Sequence, residues 1–350
     1  MAEAPDSLSE RAYYYHGLDY GSEAALHPFT LILNGGFHVM QVSNRSNRLA
    51  DMDFQNGWDL LWLNIGNPID AIEHDGWGDF IRTEILPFST GLSNARYWPN
   101  YMLHLIGGGM SYRMMIEWYQ YHDIKHPKIW SAGTMFLYHM LNEVAETSYL
   151  EGYTTDPVAD LYLFDPLSCV LFSNDKVARF FGETMNLRDW SFQPAYDVSN
   201  GSLENVGVSY SMKWKPPFWD RTSFFYYFGS HGEGGISREM GGGYSWSVAA
   251  GFTAGELIDH EDGGLAVKLE GAGALFLDRN GSLLASLQLA STKDYSMRLN
   301  VYPGFLHISD WSPGLFVTRN RNNRWIVGVN VSWPSWQPLG LATSVRGFED

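Results

Sequence analysis

The feature that most constrains this fold is an alternation with a period of two residues. From about residue 204 to the end, apolar side chains alternate with small or polar ones along successive short segments, of which residues 325–333 are an example. This period is typical of β-strands that have one apolar and one polar face. The dipeptide Asn280-Gly281 is a strong signal for a tight hairpin turn. We therefore predict eight or nine strands in this part of the chain.

Two kinds of protein could carry such strands, a membrane β-barrel or a soluble β-sandwich. The second face of each strand is small and polar, as a crowded barrel interior requires, and Trp214, Trp325 and Trp333 fall at predicted strand ends, where an interfacial girdle would lie. The outer faces of a soluble sandwich usually carry many Lys and Glu residues, which are few here. We predict an antiparallel membrane barrel of about 8–12 strands over residues 196–350, with the sandwich as the alternative.

Charge and cysteine content exclude several classes of function. The 350 residues carry 39 acidic and 23 basic side chains, a net charge of −16, which repels phosphate backbones and argues against a nucleic-acid partner. The single cysteine, Cys169, excludes a disulfide framework and a cysteine-rich metal cluster. No Gly-x-Gly-x-x-Gly or phosphate-binding loop precedes a helix, so no cofactor is predicted.

No recognisable targeting segment indicates the cellular location of the protein. No apolar run reaches the 18 residues of a spanning helix, and the first residues lack the pattern of a signal peptide. We expect a bacterial outer-membrane protein whose signal peptide has been removed. A cytoplasmic protein with its natural start is the alternative that these residues leave open.

The first half of the chain has a different pattern. Residues 56–195 predict a helical block, with helices near residues 58–86, 100–120, 129–149 and 174–185. We expect this block to plug or flank the barrel, because it is too apolar to remain separate in water. Residues 1–25 are predicted to form a loose arm, and residues 26–55 to contain two short strands, 29–33 and 37–42. The predicted class is therefore α+β, mainly a β-barrel.

Ionisable residues within the apolar helices are the candidates for chemistry, since such groups are costly in a membrane interior unless they have a function or a partner. Several recur at the spacing of three or four residues that shares a helix face. The candidate site residues are Asn100, His104, Arg113, His139, Glu143 and Glu146.

Three interpretations of these residues remain open. The one we favour is an ion pair between Arg113 and a glutamate that joins two helices. The second is a metal site formed by His139, Glu143 and Glu146 with His104 or His122. The third is acid–base or nucleophilic chemistry, with His104 or His139 as the base. The nucleophiles available for it are Ser111, Ser131 and Ser148.

A further acidic group follows the predicted helices. Asp156-Pro157, Asp160 and Asp165-Pro166 offer carboxylates for a cation. Asp-Pro pairs are, however, common in turns, and we favour that interpretation.

Several of these motifs also resemble a known family. They are Asn100-x-x-x-His104 with the glycines that follow it, Tyr112-Arg113, Glu143-x-x-Glu146 and Pro157-x-x-Asp160. Over about residues 95–175 the chain resembles an uncharacterised family of bacterial outer-membrane proteins, described only as a domain of unknown function. The resemblance implies a helical pair followed by a β-barrel, and it implies no activity.

These observations lead to one expected function and two alternatives. We expect an integral outer-membrane protein with a helical plug, which acts as an envelope scaffold or complex subunit or passes a small solute or lipid. Its expected partners are membrane lipid or lipopolysaccharide and other envelope proteins. The first alternative is a membrane-embedded lipid-modifying hydrolase or acyltransferase that uses His104 with Glu143 or Glu146. The second is a secreted, soluble glycan-binding β protein whose tryptophans stack on sugars.

Overall fold

Helices precede strands along the whole chain. The computed structural model describes residues 12–42, 45–87, 98–259, 265–307, 311–330 and 339–346. Every helix in these ranges ends before residue 185, and every strand begins at or after residue 188. The change from helix to strand therefore follows the change in the period of the apolar pattern.

The helices are short except for two. The α-helices are α1 Gly21–Ala24, α2 Pro28–Gly36, α3 Phe54–Gly66, α4 Pro68–Asp75, α5 Trp77–Phe80, α6 Gly109–Tyr121, α7 Pro127–Thr147, α8 Asp156–Ala159, α9 Asp165–Phe172 and α10 Asp175–Arg179. Wider π-helical segments lie at Ile81–Ile85, Trp98–Gly108, Asp160–Phe164 and Phe180–Thr184, and 3₁₀ turns lie at His38–Gln41 and Leu49–Asp51. None of the helices among the described residues is long and apolar enough to cross a membrane.

The two strands predicted within residues 26–55 are wrong. Residues 28–36 form α2, and residues 38–41 form a 3₁₀ turn. The imidazole of His27 accepts a hydrogen bond from the Phe29 amide, Thr30 Oγ1 accepts one from the His27 amide, and Pro28 occupies the first turn. These interactions cap the start of a helix. Short apolar runs do not distinguish a strand from a helix, which is why the sequence pattern misled.

The predicted loose arm is wrong for residues 12–25, while residues 1–11 lie outside the described residues. Tyr13, Tyr14 and Tyr15 are buried, and their three backbone amides donate to the carboxylate of Glu117 at 2.8–3.1 Å. Arg113 Nε donates to the same carboxylate at 3.1 Å. This segment is thus held by a buried charge on α6, which no local pattern in residues 1–25 indicates.

Thirteen strands among the described residues form one sheet. They are β1 Arg188–Asp189, β2 Ala195–Asp197, β3 Ser202–Glu204, β4 Tyr210–Trp214, β5 Thr222–Phe228, β6 His231–Gly241, β7 Tyr244–Asp259, β8 Leu265–Arg279, β9 Ser282–Ala290, β10 Met297–Val301, β11 Gly314–Arg319, β12 Arg324–Asn330 and β13 Gly340–Arg346. The order across the sheet is β1-β4-β5-β6-β7-β8-β9-β10-β11-β12-β13-β2-β3. Every neighbouring pair is antiparallel except β2 and β13, which are parallel.

The protein therefore has an α+β fold with one large, mostly antiparallel sheet. The strand order leaves β1 and β3 as the two edges, so the predicted closed barrel is not confirmed. The number of strands exceeds the predicted 8–12 because β1, β2 and β3 have only two or three residues each. Strands this short carry too little alternation to be found from sequence.

Several strands expose apolar side chains and bury polar ones. Along β8 and β9 the apolar side chains of Leu275 and Leu289 are 52% and 51% exposed. The polar side chains of Gln288 on β9 and Asn300 on β10 are 1% and 0% exposed. The buried face also carries apolar side chains, such as Phe276 of β8.

The helices pack against the buried face of the sheet. One apolar cluster joins Met110, Met114 and Phe172 of the helical region to Tyr210 and Phe228 of β4 and β5. Near it, Ser111 of α6 and Tyr210 form a side-chain hydrogen bond of 2.9 Å. The helical region therefore shares its core with the sheet.

The buried carboxylate of Glu117 gives a direct test of this packing. Glu117→Ala removes the acceptor of three backbone amides and one of the acceptors of Arg113, and we expect the free energy of unfolding to fall by ~3–5 kcal/mol. Denaturant unfolding of the purified protein measures this change. Glu183→Ala, at an exposed glutamate, is the control and should cost less than ~0.5 kcal/mol. Equal stability of the two variants would contradict the anchoring role of Glu117.

Candidate functional site

Five ionisable side chains meet within the helical region. They are His104, His139, Glu143, Asp160 and Asp165, and we call them the His–carboxylate cluster. The first four are buried, and the Asp165 side chain is largely buried. The chain separates Asp165 from His104 by 61 residues, so helix packing alone brings them together.

Local helix geometry places each member of the cluster. His104 lies in the π-helical segment Trp98–Gly108, and Asp160 begins the π-helical segment Asp160–Phe164. Segments of π-helix are rare and occur frequently at functional sites. His139 and Glu143 are one turn apart on α7, which puts both side chains on its buried face. Asp165 begins α9, where Pro166 fits the first helical turn.

His104 lies between the two aspartates. Its Nδ1 is 2.9 Å from Asp165 Oδ1, and its Nε2 is 3.3 Å from Asp160 Oδ2. His139 Nδ1 is 3.3 Å from Asp165 Oδ1, and the two imidazole centroids are 5.0 Å apart. One carboxylate oxygen of Asp165 thus approaches both histidines.

The other side of the cluster contains polar atoms without hydrogen-bond partners. His139 is 2% exposed, and neither of its ring nitrogens makes a hydrogen bond, because the contact with Asp165 is poorly directed. Glu143 is 1% exposed, and neither of its carboxylate oxygens makes one. Asp160 Oδ1 and Asp165 Oδ2 are also unpartnered. Buried polar atoms in folded proteins are nearly always paired, so this group calls for an explanation.

The ring of His139 has two close neighbours. It is stacked on Tyr138, with ring centroids 4.2 Å apart. A Cβ atom placed on Gly108 would lie 3.5 Å from His139 Nε2, which is ordinary van der Waals contact, so Gly108 leaves a small space beside this nitrogen.

Burial and mutual repulsion perturb the titration of the cluster. Burial alone would lower the pKa of His104, but the carboxylates of Asp160 and Asp165 outweigh it and raise this pKa to about 10. Burial lowers the pKa of His139 to about 4. Burial also raises the pKa values of Glu143 and Asp160 well above their usual range, and neighbouring carboxylates raise that of Glu143 further. Groups perturbed in this way are candidates for acid–base chemistry or for ligation of a cation.

The sequence candidates divide into those inside the cluster and those outside it. His104, His139 and Glu143 belong to it. Asn100 is buried on the same π-helical segment as His104, but its amide donates to the backbone oxygen of Glu84 at 2.9 Å. Glu146 is partly buried and acts on Glu143 through its charge. Asn100 and Glu146 thus lie beside the cluster.

Arg113 forms ion pairs with a glutamate and an aspartate. Its Nε lies 3.1 Å from Glu117, and its Nη2 lies 2.8 Å from Asp175. Arg113 pairs with a glutamate, as in the favoured interpretation, but Glu117 lies four residues later on the same helix, and the contact that joins two helices is with Asp175 of α10. His122 also lies elsewhere, stacked on Trp118 with ring centroids 4.0 Å apart.

The three serines considered as nucleophiles are bonded to other groups. Ser111 pairs with the Tyr210 hydroxyl, Ser131 donates to the Tyr112 carbonyl at 2.6 Å, and Ser148 donates to the Ala145 carbonyl at 2.8 Å. None of these contacts involves His104 or His139. A nucleophilic serine therefore has no support from this geometry.

The sequence reasoning underrated Asp160 and Asp165. Both were considered as cation ligands, but the Asp-Pro pairs were interpreted as turns. In the structure Asp156 and Asp165 begin α8 and α9, each followed by its proline. The preference for proline in a first helical turn could have placed Asp165 at a helix start, whereas Asp160 is followed by Leu161 and carries no such signal.

A second group of buried polar residues lies inside the sheet. His231 Nδ1 on β6 is 3.6 Å from Glu233 Oε1, and the Tyr295 hydroxyl is 3.4 Å from the same nitrogen. Both carboxylate oxygens of Glu233 lack a hydrogen-bond partner. The sequence reasoning did not single out these residues, since each occupies an ordinary polar position of the alternation.

Comparison with known proteins adds no relative. No family model, no curated protein and no solved structure matches this chain significantly. The resemblance to the uncharacterised outer-membrane family therefore stays a prediction.

Two double-mutant cycles test which side chains in and near the cluster interact with one another. His104 touches Asp165, whereas the pairs made by Arg113 are with Glu117 and Asp175 and do not include Glu143. We expect His104→Gln and Asp165→Asn to be coupled by ~0.5–3 kcal/mol, because each change strands the other side chain. Arg113→Met and Glu143→Gln should be additive within ~0.5 kcal/mol. Denaturant unfolding of each set of variants measures both couplings.

The opposite result would support the ion pair between Arg113 and Glu143 that the sequence suggests. Strong coupling between Arg113 and Glu143, together with additivity of His104 and Asp165, would mean that the helices pack differently from the arrangement described above.

Proposed function

We propose that this chain is an integral protein of the bacterial outer membrane, whose sheet faces lipid with its apolar side. One observation carries the proposal, the exposure of apolar side chains along several strands of the sheet. The outward positions from β8 onward are mainly leucine and valine, and the exposed ones are Leu269, Leu275, Leu289, Leu299, Val327, Leu341 and Val345. A continuous apolar surface of this kind is unfavourable in water and typical of a surface that contacts lipid.

The connection between the sheet edges supports a closed barrel. Residues 188–192 bond to the segment that contains β4, with the Trp190 amide 2.8 Å from the Ser209 carbonyl. A few residues later, β2 pairs with β13, and the Gly340 amide donates to the Pro194 carbonyl at 2.9 Å. One continuous stretch of chain thus reaches both ends of the strand order. A sheet with its two ends so close is well placed to close on itself, which removes its exposed edges.

The helical region has an apolar surface of its own. Ile129, Trp130, Phe136 and Leu137 of α7 are exposed, although the opposite side of this helix is buried. Exposed apolar patches mark contact with a membrane or a protein partner. This surface supports membrane lipid or lipopolysaccharide, and other envelope proteins, as partners.

The packed interior favours a scaffold role over passage of a solute. Helical side chains occupy part of the space beside the buried face of the sheet, where one apolar cluster joins Met110, Met114 and Phe172 to Tyr210 and Phe228. We therefore favour an envelope scaffold whose interior is occupied by the helices.

The enzymatic alternative is kept because of the His–carboxylate cluster. His104, whose pKa the two aspartates raise to about 10, would act there as a proton donor, and the imidazole of His139, whose pKa burial lowers to about 4, could orient and deprotonate a water molecule. The nucleophile in such a hydrolase would be water, since the three candidate serines are bonded elsewhere. The glycan-binding alternative has less support, because the outward face consists of aliphatic side chains where a soluble sandwich would have polar ones.

Two measurements on the full-length chain test the membrane proposal. The protein should partition with the membrane fraction and need detergent for extraction. It should also migrate differently on a denaturing gel before and after boiling, as closed barrels do. A protein that is freely soluble and insensitive to heat would overturn the proposal and favour the secreted alternative.

A charge on the lipid-facing side should impair insertion. Leu275→Arg puts a guanidinium in the middle of β8, where we expect a cost of ~2–4 kcal/mol if the side chain meets hydrocarbon. The measurement is the fraction of protein that folds into vesicles, read from the heat-dependent gel shift. Leu275→Met is the control at the same position, and Asn322→Arg is the control for added charge in an exposed turn. If Leu275→Arg inserted as well as both controls, the exposed face of β8 would not contact lipid.

A further inference from the structure

The His–carboxylate cluster has the composition of a metal centre. Two overlapping sets of three ligand atoms occur in it, and within each set the atoms lie within 4.8 Å of one another. One set is His104, His139 and Asp165, and the other is His104, Glu143 and Asp160. His104 is common to both sets. Separations of this size allow side chains to converge on one ion after small rotations.

The unpartnered atoms point to a ligand at this place. His139 and Glu143 are each more than nine-tenths buried, and both potential donor or acceptor atoms of each are without a hydrogen bond. They lie one turn apart on the same face of α7 and point into the same cluster. An unpaired buried donor or acceptor costs ~1–3 kcal/mol. His139 belongs to one of the two ligand sets and Glu143 to the other, and a cation bound beside His104, which both sets share, would give each of them a partner.

The negative charge of the cluster also points to a bound cation. Three carboxylates, those of Glu143, Asp160 and Asp165, surround two imidazoles in the buried region between the helices. Carboxylates that are buried without compensating charge are strongly destabilising. His104 contacts Asp160 and Asp165 and can offset part of this charge, but among the described residues no arginine or lysine makes an ion pair with any of the three carboxylates within 4.0 Å. A divalent cation would offset the remaining charge.

We propose that His104, His139, Glu143, Asp160 and Asp165 bind a divalent transition-metal ion. Mixed imidazole and carboxylate ligands suit Zn²⁺, Fe²⁺ and related ions, whereas Mg²⁺ and Ca²⁺ prefer oxygen ligands alone. Zinc is the first probe, because His and carboxylate ligands with an open position are typical of its catalytic sites. The proposal rests on the helical cluster and does not depend on the membrane location.

The contact of His104 with Asp165 fits the outer sphere of such a site. A ligating histidine usually donates its other ring N–H to a carboxylate, which fixes the ring orientation. The 2.9 Å contact between His104 Nδ1 and Asp165 Oδ1 has this form, and it leaves Nε2 on the side of Asp160 and Glu143. Asp165 therefore acts on the ion at least in part through His104.

Metal analysis of the full-length protein tests the proposal. The protein is stripped with a chelator, incubated with Zn²⁺ and passed through a desalting column, and the bound zinc is measured by mass spectrometry. We expect about one ion per chain in the wild type. His104→Ala and Glu143→Gln should each weaken binding at least ~100-fold, and Asp165→Asn should weaken it by ~10–100-fold.

Matched controls distinguish this site from adventitious binding at the surface. His126→Ala and Glu151→Gln remove an exposed histidine and an exposed glutamate and should leave the stoichiometry unchanged. A 100-fold excess of Mg²⁺ should not displace the zinc. Zinc binding that is lost in the control variants but retained in His104→Ala would overturn the proposal.

A thermal measurement on the wild type keeps the test valid if a variant does not fold. Zinc added to the stripped wild-type protein should raise its unfolding midpoint, because the ion binds the folded state. Circular dichroism shows which variants are folded, and only those are compared. A stripped wild type that retains no zinc and shows no rise in its unfolding midpoint would overturn the proposal without reference to any variant.

Discussion

The structure depends on the need to cover the polar face of the sheet. Buried polar groups require hydrogen-bond partners, and the helical region supplies many of them. Asn34 of α2 donates to the Phe192 carbonyl at 2.8 Å and accepts from the Gly207 amide at 3.0 Å. The indole of Trp98 donates to the Gly229 carbonyl at 3.1 Å. The helices and the sheet therefore form one packing unit, in which the apolar side of the sheet is left to face outward.

The same constraint creates the environment of the His–carboxylate cluster. Helices that pack on a sheet and on one another exclude water from the space between them, and charges in that space interact strongly. Burial and the charges of Asp160 and Asp165 consequently shift the pKa of His104, and burial raises the pKa values of Glu143 and Asp160. A buried cluster of this kind costs stability, which is why we assign it a ligand in place of a purely structural role.

Part of this site could be predicted from the sequence. The pair His139 and Glu143 followed from helical spacing on α7, and His104 followed from its place in an apolar helix. Asp165 could not be assigned to the site, because its position depends on how two helices separated by 61 residues pack together. The contacts of Arg113 divide in the same way. Helical spacing indicates its contact with Glu117, and only packing brings it to Asp175 of α10.

The sequence by itself determined that the chain from about residue 204 onward is mainly extended, because a period of two residues is a property of the extended backbone. It predicted eight or nine strands there, and the described residues form ten, β4 to β13. It also determined the positions of α6 and α7, where apolar spacing is sustained over many residues. Only the tertiary structure decided that residues 28–41 are helical, that Tyr13, Tyr14 and Tyr15 are anchored by Glu117, and that Asp160 and Asp165 lie against His104. The physical reason is that periodicity reports local backbone geometry, whereas contacts between distant segments depend on which surfaces must be buried together.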